Sequence, residues 1–334
     1  MDNIPRIGDD TANYNTHSDV PDNTDIPKSH EQEKYSIEQF KKDYIYILKN
    51  NVFPKLEQFN ELQKQSIAKV KELKIGVTLF IGIYIVSCIL FKITLQILFI
   101  LGVYFIFTRY RSSIKKKLEN EIKSRIAPIL IQAFPGFSWT LEPIITKSEP
   151  EEAGLYIDDI EGHYKTDDNF KGSYRGVEIA ITECRCSDKN GLNIFQGPII
   201  RIKMNKNFEG VTILRPYNNS TRLTKLEEIK LEDVEFNKQF KVFSTDQIEA
   251  RYLLTTAFME RLKRIMLAFK TEKIYCSFYK DYVYIGPYTN NDLFSIADLS
   301  ESLTDEKQYE VLFEEFASIL ELVDHFKLDK KLGL

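Results

Sequence analysis

Ser244, Thr245 and Asp246, followed by Glu249 and Arg251, give the strongest polar signal for a site in the 334-residue chain. They stand where an alternating apolar pattern gives way to a helical one, which places them at the end of a strand and the start of a helix. The free N–H groups of a helix start bind anions, so these residues are the candidate contact for a ligand or partner. Asp246 suits a second role as well: its carboxylate can cap the helix itself, with Glu249 and Arg251 tying that helix to a neighbouring strand. A weaker set is Glu161, His163, Glu178 and Glu183, which would hold a cation if brought together across a sheet and so assist hydrolysis. Cys184 and Cys186 share a strand face, but no second Cys or His pair completes a metal-binding spacing. No phosphate-binding glycine loop is present, and no cofactor is implied.

The remaining cysteines, Cys88 and Cys276, complete no disulfide framework, in keeping with a reducing compartment. A net charge of -4 argues against nucleic acid as a partner.

What positions these residues is set first by a membrane. The run Ile75 to Phe107 carries Lys92 as its lone charge and has basic clusters at both ends. One straight helix through it would be roughly 50 Å long against a hydrocarbon core of about 30 Å, with Lys92 near the centre. Two short spans remove both difficulties: residues 75–91 and 93–107, turning at Lys92, Thr94 and Gln96, which snorkel to the far headgroups. Lys71, Lys74, Arg109, Arg111, Lys115, Lys116 and Lys117 then stay on the cytoplasmic side and contact anionic lipid. Both termini are expected in the cytoplasm, with a re-entrant hairpin in one leaflet as the alternative. A cleaved signal peptide is not expected, because a long polar stretch precedes the run.

Residues 1–34 are acidic and poor in apolar side chains, as expected of a disordered tail. Ser36 and Gln39 resemble a capping box before Phe40, Tyr44 and Ile47, and Pro54 is expected to end or kink that helix. Leu56, Phe59 and Leu62 before the spans, and Leu118, Ile122 and Ile126 after them, form stripes that would pack as an antiparallel stalk. Amphipathic helices are thus expected over 35–74, the hairpin over 75–108 and a stalk helix over 109–134. Pro128 and Pro135-Gly136 are expected to close the helical region.

From Phe137 to residue 327 strands come first and helices later, which defines an α+β domain with helices on one face of a largely antiparallel sheet. Residues 328–334 form a tail. Strands are expected over Tyr174 to Thr182, with Val177, Ile179 and Ile181 inward, and over Ile199 to Met204, Phe208 to Leu214 and Phe240 to Phe243. Ile274 to Phe278 and Tyr282 to Ile285 read as a hairpin. Thr245 to Phe269 reads as helix with a break near Thr255. A capping signal at Ser302 to Asp305 opens a strong apolar stripe from Tyr309 to Val323.

The stretches Leu231 to Phe236, Phe240 to Thr255 and Ala257 to Leu262, with Asp159 to Gly162 and Asp292 to Phe294, resemble a bacterial family of uncharacterised membrane-anchored proteins. That family is a domain of unknown function, and some members carry peptide names such as galanin that these residues do not support. The resemblance spans about Tyr35 to Phe326. It implies two adjacent N-terminal spans, a C-terminal soluble domain and a bacterial cytoplasmic membrane, and it supplies no activity. Two functions follow: a membrane-tethered binding or scaffold module that recruits a protein or small ligand, or a membrane-bound metal-assisted hydrolase.

Overall fold

The computed structural model describes residues 36–90, 97–155, 163–218, 226–290 and 303–326. The expected tails, the expected turn at Lys92, and Glu161, Ser302 and Asp292 to Phe294 lie outside the described residues, as does the side chain of Lys115.

Helix α1 spans Ile37–Ile47, and the Ser36 side chain accepts a hydrogen bond from the Gln39 N–H at 3.2 Å. The Gln39 side chain does not complete the box but donates to Asp43 one turn on. Pro54 does not stop the chain. A π turn, Leu48–Val52, widens the backbone ahead of it, and α2 (Phe53–Leu90) takes Pro54 in its first turn, where a missing N–H is tolerated. Ile37–Leu90 is thus one continuous helical rod, and it is long and apolar enough to cross a membrane. Helix α3 (Ile97–Leu130) likewise absorbs Pro128 and closes through a 3-10 turn, Ile131–Ala133, before Gly136 takes φ 86°.

The sheet domain contains β1 (Phe137–Thr140), α4 (Ser148–Glu152), β2 (Tyr164–Tyr174), β3 (Val177–Ser187), β4 (Asn193–Lys203) and β5 (Thr212–Pro216). It continues with β6 (Glu227–Ile229), α5 (Val234–Gln239), β7 (Phe240–Ser244), α6 (Gln247–Leu253) and α7 (Thr256–Ala268). It ends with β8 (Lys273–Tyr279), β9 (Tyr282–Tyr288) and α8 (Glu306–Phe326). The strands form one sheet in the order β1-β2-β3-β4-β9-β8-β5-β7-β6, and every described pairing is antiparallel.

The expected strand over Tyr174 to Thr182 is in fact the end of one strand and the start of the next. Arg175 and Gly176, at φ 49° and 78°, form the tight turn between β2 and β3, since two-residue hairpins favour positive φ at both central positions. Val177, Ile179 and Ile181 do face the core. The β8–β9 hairpin turns at Lys280-Asp281, and the expected helix break falls at Thr255, whose hydroxyl accepts from the Phe258 N–H at 3.2 Å. Asp305 caps α8 by accepting from Lys307 N–H.

The core lies on the helical face of the sheet. Leu56 and Phe59 of α2 and Leu118, Ile122 and Ile126 of α3 belong to the same buried cluster as the sheet and α7 and α8. The Arg125 guanidinium sits 5.6 Å over the Phe59 ring. Phe134, just past α3, packs 4.4 Å from Phe316 of α8, and the Tyr44 hydroxyl donates to the Tyr309 carbonyl at 2.8 Å. The stalk and the sheet domain, expected as separate units, therefore share one core. The opposite face carries a smaller cluster in which Ile145, Ala153 and Leu155 cover Ala180, Cys184, Cys186 and Phe195.

Candidate functional site

A polar cleft of 290 Å³ opens where α3 leaves the stalk and meets β2 and β3. Its geometry starts from an irregularity in pairing. Thr166 stands opposite Cys184 and Asn169 opposite Thr182, so β2 has an extra residue and bulges at Asp167-Asp168. A bulge re-aims side chains. Here Asp168 is turned into the protein, where its Oδ2 lies 2.7 Å from Lys123 Nζ of α3 and its Oδ1 accepts from Trp139 Nε1 of β1 at 2.8 Å. Both charged side chains are buried, at 4% and 0% exposure. Burial raises the Asp168 carboxyl pKa above its ordinary value, opposed by the Lys123 ammonium and the Trp139 hydrogen bond. The arrangement pins α3 to β1 and β2 at one point. Lys116, Lys165, Asp167, Glu183 and Arg185 line the cleft beside that pair, with the amide residues Asn120, Gln196 and Asn290.

The residues singled out from sequence are distributed differently. Around α6 the chain satisfies itself: Asp246 accepts from Ile248 N–H at 2.8 Å and Glu249 N–H at 3.1 Å. Thr245 accepts from Val211 N–H at 2.9 Å, and Ser244 pairs with Thr212 at 2.9 Å. The Glu249 carboxylate accepts from the N–H groups of Glu209 and Gly210, each at 3.2 Å. Arg251 is exposed on α6. This is the geometry of a helix cap that also fastens the loop before β5.

The cation set is not assembled. Glu178 and Glu183 are an odd number of residues apart on β3, so they project to opposite faces. Glu178 lies 3.6 Å from Arg201, whereas Glu183 faces the cleft. His163 pairs through its backbone with Ser187 at the far end of β2. Among the described residues no group of three or more His, Cys, Asp or Glu could hold a metal. The Cys184 and Cys186 sulfurs are 3.8 Å apart and buried. Lys71 and Lys74 on α2, and Arg109, Arg111, Lys116 and Lys117 on α3, are exposed.

Sequence reasoning missed Lys123, Asp168 and Trp139. The usable signal was Lys123 itself, a charge directly beside Ile122 in an apolar stripe, together with the chain's single tryptophan.

Residues 193–328 match the model of a family described as protein of unknown function, DUF3137. The match begins at β4 and runs through α8, so α3, β2 and β3, which form most of the cleft, precede it. No curated protein matches the chain. Among solved structures, the mycobacterial trehalose monomycolate transport factor A, TtfA, aligns at 10% identity with a TM-score of 0.33. That alignment covers 57% of this chain and 88% of TtfA. A likeness that loose carries no functional argument.

Proposed function

We propose that the chain is a membrane-tethered binding module of the bacterial cytoplasmic membrane. Its apolar helices turn back at Lys92, both termini lie in the cytoplasm, and the α+β domain recruits a protein or small ligand. The observation that carries this reading is the pairing of an outward apolar surface with a basic collar on the same helices. Ile75, Leu79, Phe80, Ile83, Val86 and Ile89 of α2, and Leu101, Phe105 and Ile106 of α3, are exposed. Burying such side chains in lipid removes the free-energy cost of exposing them to water, about 1.5 to 3 kcal/mol for each one fully buried. The collar of Lys71, Lys74, Arg109, Arg111, Lys115, Lys116 and Lys117 adds about 1 kcal/mol per residue near an anionic surface.

Fractionation of cells expressing the full chain tests the tether. The protein should sediment with membranes and stay there through alkaline carbonate washing; release into the wash would contradict the proposal. Crosslinking in native membranes then names the recruited neighbour.

A further inference from the structure

A groove of 520 Å³ runs between α7 and α8. The two helices are antiparallel: Arg261 and Arg264 reach Glu321 towards one end, while Leu267 and Lys270 line the groove with Glu310 and Val311 towards the other. Leu267 stands 77% exposed beside Ala268, Val311 and Ala317. One exposed leucine is ordinary, but a leucine set in an apolar groove between charged rims has the anatomy of an interface. The rims differ in sign. Arg264 and Lys270 border the groove from the α7 side, and Glu310 and Glu314 from the α8 side. Glu310 and Glu314 share Lys41, whereas Arg261 and Arg264 share Glu321, so each rim keeps an excess of its own charge. Lys270 forms no ion pair among the described residues. Lys307, one turn before Glu310, does not line the groove.

We propose that a second copy of the chain docks on this groove, forming a two-fold dimer in which α7 and α8 of each protomer pack against those of the other. The axis follows from the membrane tether, on which the proposal rests. Two chains anchored with the same topology in one bilayer are related by a rotation about the membrane normal, which keeps every residue at its own height. Lys49 and Lys41 meet Glu306 and Glu314 at equal spacings, so α8 lies along the rod that carries the apolar span, and α7 lies along α8. A half-turn about that direction brings α7 of one protomer against α8 of its partner at the level where the two helices already face each other. Arg264 and Lys270 then meet the partner's Glu310 and Glu314, and Leu267 enters the partner's groove. Any other occupant needs an acidic and a basic edge in the matching order, which a second copy supplies by symmetry. The 13 residues of α7 span about 20 Å. That is a short contact, and confinement to one membrane strengthens it by raising the effective concentration.

The test co-expresses two differently tagged full chains in the same membranes, one carrying Lys270→Cys and the other Glu310→Cys, and treats them with a short bis-maleimide. The four native cysteines are buried, so the introduced pair dominates the reaction. A cross-link joining the two tags is expected, and none is expected when Lys238→Cys on α5 takes the place of Lys270→Cys. Energy transfer between fluorescently labelled copies in liposomes then measures the association. Leu267→Glu and Lys270→Glu should each weaken it about tenfold, with Tm unchanged because both side chains are exposed. Combining Lys270→Glu with Glu310→Lys in every chain should restore it, which a loss of folding would not allow. Energy transfer no greater than that of randomly scattered chains, or a cross-link formed equally well by Lys238→Cys, overturns the proposal while leaving the tether intact. Release of the chain from the membrane would defeat the tether and the axis with it.

Discussion

Lys123 and Asp168 are a pair whose removal in halves is costlier than its removal whole. Taking two charges from water is expensive, and their attraction offsets the cost only while both are present. Asp168→Asn keeps a hydrogen-bond acceptor for Trp139 but removes the buried carboxylate that lies 2.7 Å from Lys123 Nζ, and should destabilise the protein by about 3 to 5 kcal/mol. Replacing both with Met and Leu should cost less than that single change. Trp139 is the only tryptophan and touches Asp168, so its fluorescence during denaturant unfolding of the full chain reads the comparison at the site itself. Asp246→Ala should cost about 1 kcal/mol, the usual value of a cap, measured by the same unfolding curve. The sequence placed Asp246 at the head of a helix because strand alternation visibly ends there. It could not reveal Asp168, since the partners of Asp168 come from α3 and β1, far away along the chain.

Elements whose pattern is carried by apolar periodicity were legible: α8, α7 with its break, the β8–β9 hairpin and β7. Elements that depend on an irregularity were not. The polar run from Lys165 to Asn169 hides β2, because its bulge interrupts the alternation that identifies a strand. The Arg175-Gly176 turn is concealed for a similar reason: arginine at positive φ is uncommon, and the apolar pattern continues past it. Pro54, expected to end or kink its helix, is instead carried through after a π turn, whereas the helical region closes within a few residues of Pro128, through a 3-10 turn and Gly136.

At Gly197, on β4 next to Gln196, φ is 137°, and a Cβ would run into the Pro287 carbonyl of β9. Gly197→Ala should therefore cost about 1 to 3 kcal/mol or more, seen as a lower Tm of the full chain.

The chain as a whole behaves as one core threaded from the long helices α2 and α3 to the far edge of the sheet. Periodicity showed stripes on α2 and α3 and predicted their mutual packing, but contact of α1 with α8 is non-local and leaves no periodic trace. Lys41 reaches Glu314 at 3.1 Å, and Lys49 reaches Glu306 at 3.3 Å, across that interface. Ile126 is fully buried in the shared cluster. Ile126→Ala should cost about 2 to 5 kcal/mol and lower the melting of the sheet domain together with the stalk, rather than loosening the stalk alone. Two transitions in the unfolding of that variant, followed by Trp139 fluorescence and by circular dichroism, would show the two parts to be uncoupled.

The central claim is the tether with both chain ends on one side. Epitope tags at Met1 and Leu334, exposed to protease in sealed cells and in inverted membrane vesicles, test it most directly. The account predicts that both tags survive in sealed cells and that both are cut in inverted vesicles. One tag cut and the other protected in sealed cells would mean a single crossing and would contradict the hairpin.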